Sequence, residues 1–293
     1  MAATDRSASR VVAIVLVAAL AVVVAVLSVL ALQRSGRVAE SASPNPVPTF
    51  TLGVEQSATP TPTPVATPEA ERFLSAAAGA LWRSTAGSCD GDEPLVERSI
   101  DDGVTWTDVT PRYRGLARVF SLTAFADTEA QMVAAVAACE VQALRTYTQG
   151  TYWESYPDVL AASTYLSAGT IVTPAGPVPP PCAAPSGLRS SDQALTLLCD
   201  RVAWIQLPGA EWSALPATGA VAVAVEGSDV LVAYGGAEEC AGLALTLYRA
   251  GDAAAAQPIG CAEVPDAASP TAIAITVDRV LVWSGDTFAI IPR

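Results

Sequence analysis

The chain has 293 residues, of which 51% are apolar and 15% charged, and 29 acidic residues against 16 basic ones leave a net charge of −13. Every basic residue is arginine; lysine and histidine do not occur. That composition excludes histidine acid–base catalysis, histidine-ligated metals and lysine Schiff bases, and its sign opposes binding to a nucleic-acid backbone.

Residues 1–10 read as a short cytoplasmic tail ahead of Val11–Leu32, an apolar run of 22 residues whose one polar member is Ser28. As a helix this run is ~33 Å long, enough for a hydrocarbon core of ~30 Å. A cleavable signal sequence carries an apolar core of only about 7–15 residues, so residues 11–32 are expected to be an uncleaved transmembrane helix. Arg6 and Arg10 precede it and Arg34 and Arg37 follow it, so basic charge alone does not orient the span.

Residues 33–70 read as a disordered Pro/Ser/Thr-rich stalk. Within 41–70 there are 7 prolines and 9 serines or threonines, including the run Thr59-Pro60-Thr61-Pro62-Thr63-Pro64. Proline at this density denies the backbone helix and ladder hydrogen bonds and favours extended polyproline II. Thirty such residues reach ~90 Å, a length suited to lifting a domain from a bilayer. Up to residue 70 the 4 arginines and 4 acids cancel, so the whole of the −13 belongs to residues 71–293.

All six cysteines lie in that last part: Cys89, Cys139, Cys182, Cys199, Cys240 and Cys261. An even number with no C-x-x-C spacing and no histidine points to disulfides rather than to metal or redox chemistry, the alternative being six buried thiols in a cytosolic domain. Disulfides imply an oxidising compartment, so the domain is expected to be extracytoplasmic on a single-pass cell-membrane protein.

From residue 71 the pattern is of short β-rich runs, such as Val221–Val225, Val230–Tyr234, Ala272–Val277 and Val280–Trp283. Glu226-Gly227-Ser228-Asp229 and Ser284-Gly285-Asp286 separate them as turns, an all-β arrangement. Thr128–Leu144 is alanine-rich, and its valines favour two strands over a helix. Ser99-Ile100-Asp101-Asp102-Gly103-Val104-Thr105-Trp106 matches the Asp-box S-x-D-x-G-x-T-W. In such a turn Asp101 accepts amide hydrogen bonds, Gly103 supplies a positive φ, Trp106 packs beneath, and Ser99 and Thr105 tie the strand ends. Weaker echoes occur at Thr146-x-Thr148-x-Gly150-x-Tyr152-Trp153 and at Gly209 and Trp212. A recurrence near ~50 residues in β-rich sequence suggests propeller blades.

On these residues, 71–293 resemble the Asp-box (BNR-repeat) β-propeller proteins, and more closely the membrane-anchored extracytoplasmic propellers of GC-rich bacteria. The resemblance implies a sialidase-like β-propeller; at about 45 residues per blade, residues 71–293 provide about five blades. Arg72–Ala76 is expected to close the ring with Thr287–Ile291. Local pairing favours Cys182–Cys199 and Cys240–Cys261, each within about one blade, and leaves Cys89–Cys139 by elimination. Cys89 and Cys139 at equivalent blade positions would stand too far apart to bond.

Sialidases resemble this chain in their boxes, which hold peripheral turns and do no chemistry. Their active site uses three arginines on a carboxylate, a Tyr with a Glu partner, and an Asp acid/base, and no such arrangement is identifiable along this sequence. Asp90, Asp92 and Glu93 lack an EF-hand spacing and read as a surface turn. No catalytic residue, metal ligand or cofactor is therefore assigned. The expected function is a membrane-anchored binding or scaffolding module for a protein or glycan partner; the alternatives are a cell-surface glycosidase and a solute-sensing domain.

Overall fold

A computed structural model describes residues 71–293; the tail, transmembrane helix and stalk expected at 1–70 lie outside the described residues. Among the described residues no helix is long and apolar enough to cross a membrane. They form six antiparallel sheets, each a meander of strands consecutive in sequence. Blade 1 holds β1 (Arg72–Ala77), β2 (Ala80–Thr85), β3 (Val96–Ser99) and β4 (Thr107–Asp108). Blade 2 holds β5 (Leu116–Ala124), β6 (Ala130–Val136), β7 (Glu140–Thr146) and β8 (Glu154–Ser155), followed by the short helix α1 (Pro157–Ala161). Blade 3 has three strands, β9 (Tyr165–Ser167), β10 (Thr170–Thr173) and β11 (Gly176–Val178). Blade 4 holds β12 (Ser186–Ser190), β13 (Leu195–Cys199), β14 (Val202–Gln206) and β15 (Ser213–Thr218). Blade 5 holds β16 (Ala220–Glu226), β17 (Asp229–Tyr234), β18 (Leu243–Tyr248) and β19 (Ala256–Ala262). Blade 6 again has three, β20 (Thr271–Ile275), β21 (Arg279–Ser284) and β22 (Thr287–Pro292).

The first strand of each blade touches the first strand of the next: β1 with β5, β5 with β9, β9 with β12, β12 with β16, β16 with β20, and β20 with β1. Six sheets whose first strands form a closed cycle are a six-bladed β-propeller, with those strands around the axis. The expected count of five is corrected to six. It assumed a uniform blade of about 45 residues, whereas blades 3 and 6 have only three short strands each.

Local chemistry explains the hairpins. Glu226 pairs with Asp229 and Ser284 with Thr287, so Gly227-Ser228 and Gly285-Asp286 are two-residue turns, as the turn residues suggest. The alanine-rich stretch forms β6 and β7, paired from Ala130↔Thr146 to Val136↔Glu140. Six of the seven residues of β6 are buried, and tertiary burial outweighs the helix propensity of alanine.

The apolar side chains pack between blades. Phe73, Trp82, Val119, Met132, Leu144 and Trp153 fill the seam between blades 1 and 2. Similar clusters lie between blades 3 and 4, 4 and 5, 5 and 6, and 6 and 1. The seam between blades 2 and 3 differs: there Phe120 meets Tyr165, with ring centroids 5.8 Å apart, beside a cavity.

Ring closure also departs from expectation. Arg72–Ala76 does not add to the strand at Thr287–Ile291; β22 pairs with β21, and β1 has its own partner in β2. Side chains join blade 6 to blade 1 instead. Arg72 lies 4.2 Å from the Trp283 ring centroid, Arg83 lies 4.7 Å from that ring, and Arg83 is 4.0 Å from the Trp106 ring. Glu97 holds the Arg83 guanidinium at 2.7 Å, and Trp106 meets Phe288 edge-on at 5.4 Å. Each stacked arginine contributes about 0.5–2 kcal/mol, so this ladder substitutes for a shared strand.

Candidate functional site

The Ser99–Trp106 turn joins β3 to β4 at the edge of blade 1. Ser99 Oγ donates to Asp101 Oδ1 at 2.7 Å and accepts the Gly103 N–H at 2.9 Å. Asp101 Oδ1 accepts the Thr105 N–H at 2.9 Å, and the Trp106 indole N–H reaches the Gly103 carbonyl at 3.0 Å. Asp102 and Gly103 have φ of 53° and 81°. A β-carbon on Gly103 would also overlap the Phe288 ring, so this glycine serves both the turn and the seam with blade 6.

Thr146–Trp153 occupies the same place in blade 2 and repeats the bonds. Thr146 Oγ1 accepts the Gly150 N–H at 3.0 Å, Thr148 Oγ1 accepts the Tyr152 N–H at 2.9 Å, and the Trp153 indole donates to the Gly150 carbonyl at 3.0 Å. The interval Gly209–Trp212 does not. Its indole donates to the Pro179 carbonyl at 3.0 Å instead. The positions that would accept amide bonds are Ile205 and Leu207, which have no side-chain oxygen.

Hydrogen bonds from the Thr105 hydroxyl and amide, then from Ser99, lower the Asp101 carboxyl from 3.8 to about 2. A carboxyl depressed in the folded state stabilises fully above its unfolded value, and that contribution is lost as pH falls through the folded one. The variant Asp101→Asn should therefore lose its stability deficit between pH 3.8 and about 2. Melting temperatures of both proteins across this range check it; parallel curves would contradict it.

The cysteines pair as Cys89–Cys139, Cys182–Cys199 and Cys240–Cys261, with Cα separations of 5.8, 6.0 and 5.6 Å. Cys240–Cys261 lies within blade 5 and Cys182–Cys199 fastens the connection after blade 3 to blade 4. Cys89–Cys139 crosses from blade 1 to blade 2, although both residues lie between the second and third strands of their blades. The separation expected for equivalent positions is overcome because the β2–β3 connection spans residues 86–95 and reaches across.

The structure brings together residues that no local motif announces. On the axial side a cavity of about 110 Å³ is lined by Glu71, Arg118, Phe120, Leu166, Ser186 and Leu188, among others. Arg189 of blade 4 reaches across the ring to blade 1. It pairs with Glu71 at 3.0 Å, donates to the Arg72 carbonyl at 2.7 Å, and lies 4.8 Å from the centroid of Phe73. Burial pushes the Glu71 carboxyl above its usual range, against the opposing pull of Arg189 and Arg118. The Arg118 guanidinium stacks 5.0 Å from the Phe120 centroid, and its Nε is buried without a hydrogen-bond partner.

A second assembly lies on blade 2. The exposed rings of Phe125 and Tyr147 meet edge-on at 6.1 Å, and Tyr147 meets Tyr156 at 6.2 Å. Arg145 lies 5.4 Å from the Phe125 ring and 5.8 Å from the Tyr156 ring, and Gln131 fixes its Nε and Nη2 at 2.9 and 2.7 Å. By contrast Trp82, Trp153 and Trp283 are buried, as their place in strands and box turns suggests.

Among the described residues no group of three or more Cys, Asp or Glu side chains is placed to hold a metal ion. In the Asp90–Glu93 turn, Glu93 lies 3.4 Å from Arg112.

The described domain is thus an all-β, disulfide-bonded, six-bladed β-propeller. No protein-family model and no curated protein matches the chain. Among solved structures it is similar to YCF48 bound to D1 peptide, at 15% identity and TM-score 0.37, over 75% of this chain and 76% of that one. It is also similar to Trypanosoma rangeli sialidase, at 10% identity and TM-score 0.40, over 75% of this chain and 53% of that one. A GH43_1 enzyme from Xanthomonas citri matches at 11% identity and TM-score 0.36, over 73% and 81% of the two chains. These likenesses concern fold alone.

Proposed function

We propose that the chain is a single-pass, membrane-anchored extracytoplasmic binding module, and that the aromatic face of blade 2 meets a protein partner. The observation that carries this reading is the cluster of exposed Phe125 and Tyr147 with half-buried Tyr156 around a fixed Arg145. Tyrosine and arginine are the side chains that most often dominate protein interfaces. Because Gln131 and the two rings already hold Arg145, little side-chain entropy is lost on binding. The rings meet edge-on rather than as one flat platform, which favours a protein surface over a stacked sugar. Asp127 and Glu154 are exposed nearby, so the partner surface is neutral to basic. At the axis, the Glu71 carboxylate that lines the cavity is held by Arg189.

The test is affinity capture with the full-length chain in nanodiscs, comparing wild type with the double variant Phe125→Ala, Tyr147→Ala. Hot-spot truncation costs about 2 kcal/mol or more, so the partner should bind the variant at least about tenfold more weakly. Equal capture by both proteins contradicts the reading, as does preferential binding of a glycan array or turnover of sialosides and arabinosides.

A further inference from the structure

We propose that the axial cavity is a binding site for a small aliphatic monocarboxylate, with the Arg118 guanidinium receiving its carboxylate. This does not rest on the blade 2 reading, since the two sites share no residue.

The charge in the cavity is unbalanced. Glu71 and Arg118 are the charged residues that line the cavity, and among the described residues only Glu71 has its counter-charge, Arg189 of blade 4. Glu71 is committed to Arg189 at 3.0 Å. Arg118 stacks on Phe120 and keeps a buried Nε–H without a partner. A planar guanidinium without a counter-charge is satisfied best by a carboxylate. The ligand class therefore follows from what the site lacks: one negative charge with acceptor oxygens.

The rest of the lining defines the tail. Val119, Phe120, Leu166, Pro185 and Leu188 are apolar, and Ser186 adds a hydroxyl. Such a mixture, mostly apolar with few polar groups, is what small-molecule sites present. The space of about 110 Å³ sets the size. A dry cavity of about 150 Å³ accepts benzene, so this one suits about four to six non-hydrogen atoms. The cavity exists because blade 3 is the smallest blade. Its inner strand β9 has only three residues, too few to fill the seam between β5, of nine residues, and β12, of five.

Butyrate and its uncharged isostere butyramide are suitable probes, titrated by NMR into the full-length chain in nanodiscs. A ligand of this size should bind with a dissociation constant on the order of 1 mM. Butyramide should bind at least about tenfold more weakly. Arg118→Gln should weaken butyrate by a similar factor, while Glu71→Gln, which removes a negative charge from the cavity wall, should tighten it several-fold. The blade 2 variant Phe125→Ala, Tyr147→Ala should bind butyrate as wild type does. The proposal is overturned if butyrate fails to saturate, if butyramide binds equally, or if chloride and phosphate compete as well as butyrate does. The two-ligand comparison needs only the wild-type protein, so it decides the matter even where a charge variant folds poorly.

Discussion

Replacing Trp153 by alanine should lower the free energy of unfolding by about 3–5 kcal/mol, the usual cost of emptying a buried tryptophan site. Trp153 is 1% exposed, meets Trp82 edge-on at 6.0 Å, and lies in the cluster between blades 1 and 2. Its indole N–H bonds the Gly150 carbonyl at 3.0 Å and the Val109 carbonyl at 3.3 Å, so one side chain closes its own turn and grips the preceding blade. Truncation leaves both a cavity and a loosened turn. In a domain of this size the loss corresponds to a fall in melting temperature of roughly 10 °C. Phenylalanine at the two partners separates the effects. Trp82 Nε1 is buried with no hydrogen-bond partner, so Trp82→Phe should cost less than Trp153→Phe. Denaturant unfolding measures all three variants. A loss below about 1 kcal/mol for Trp153→Ala would contradict the interblade packing described above.

Removing the Cys89–Cys139 bridge is the second large effect. The bond closes a loop of 50 residues, against 17 and 21 for the other two. In the chain-entropy model that length contributes about 4 kcal/mol, and the shorter loops about 3 each. The bridge also fastens the same seam that Trp153 fills, so its loss leaves packing alone to hold blade 1 against blade 2. Cys89→Ser with Cys139→Ser should therefore destabilise more than either of the other paired serine variants. Equal or reversed ranking in denaturant unfolding would show that this bridge is not what holds blades 1 and 2 together.

What was legible in the sequence was what local chemistry fixes. The Ser99–Trp106 turn is written in side chains that bond one another within eight positions, and Thr146–Trp153 keeps acceptors at the two places that matter. Gly209–Trp212 keeps the spacing but has Ile205 and Leu207 at the acceptor positions, and the sequence already contained that difference. Blade number was not legible, because β9 and β11 are three residues long and carry too little alternation to stand out. Ring closure was missed for another reason: stacked Arg72, Trp283, Arg83 and Trp106 leave no periodic signal.

The candidate sites were less legible still. Glu71 and Arg189 are 118 positions apart and meet across the ring axis. Phe125, Tyr147 and Tyr156 come from three different segments of blade 2, and in sequence each reads as an ordinary turn or strand aromatic. The exposed aromatic face is built of phenylalanine and tyrosine, whereas Trp82, Trp153 and Trp283 are buried. Only the fold makes neighbours of these residues.

The most direct single test combines the fold with the proposed extracytoplasmic placement. Thiols of the full-length protein are alkylated in intact cells, and the unreduced protein is then digested and mass-mapped. The expected result is three bridged peptide pairs, Cys89–Cys139, Cys182–Cys199 and Cys240–Cys261, with no alkylated cysteine. Alkylated cysteines throughout would place the domain in a reducing compartment. A Cys182–Cys240 bridge, or any other exchanged pairing, would contradict the blade arrangement itself.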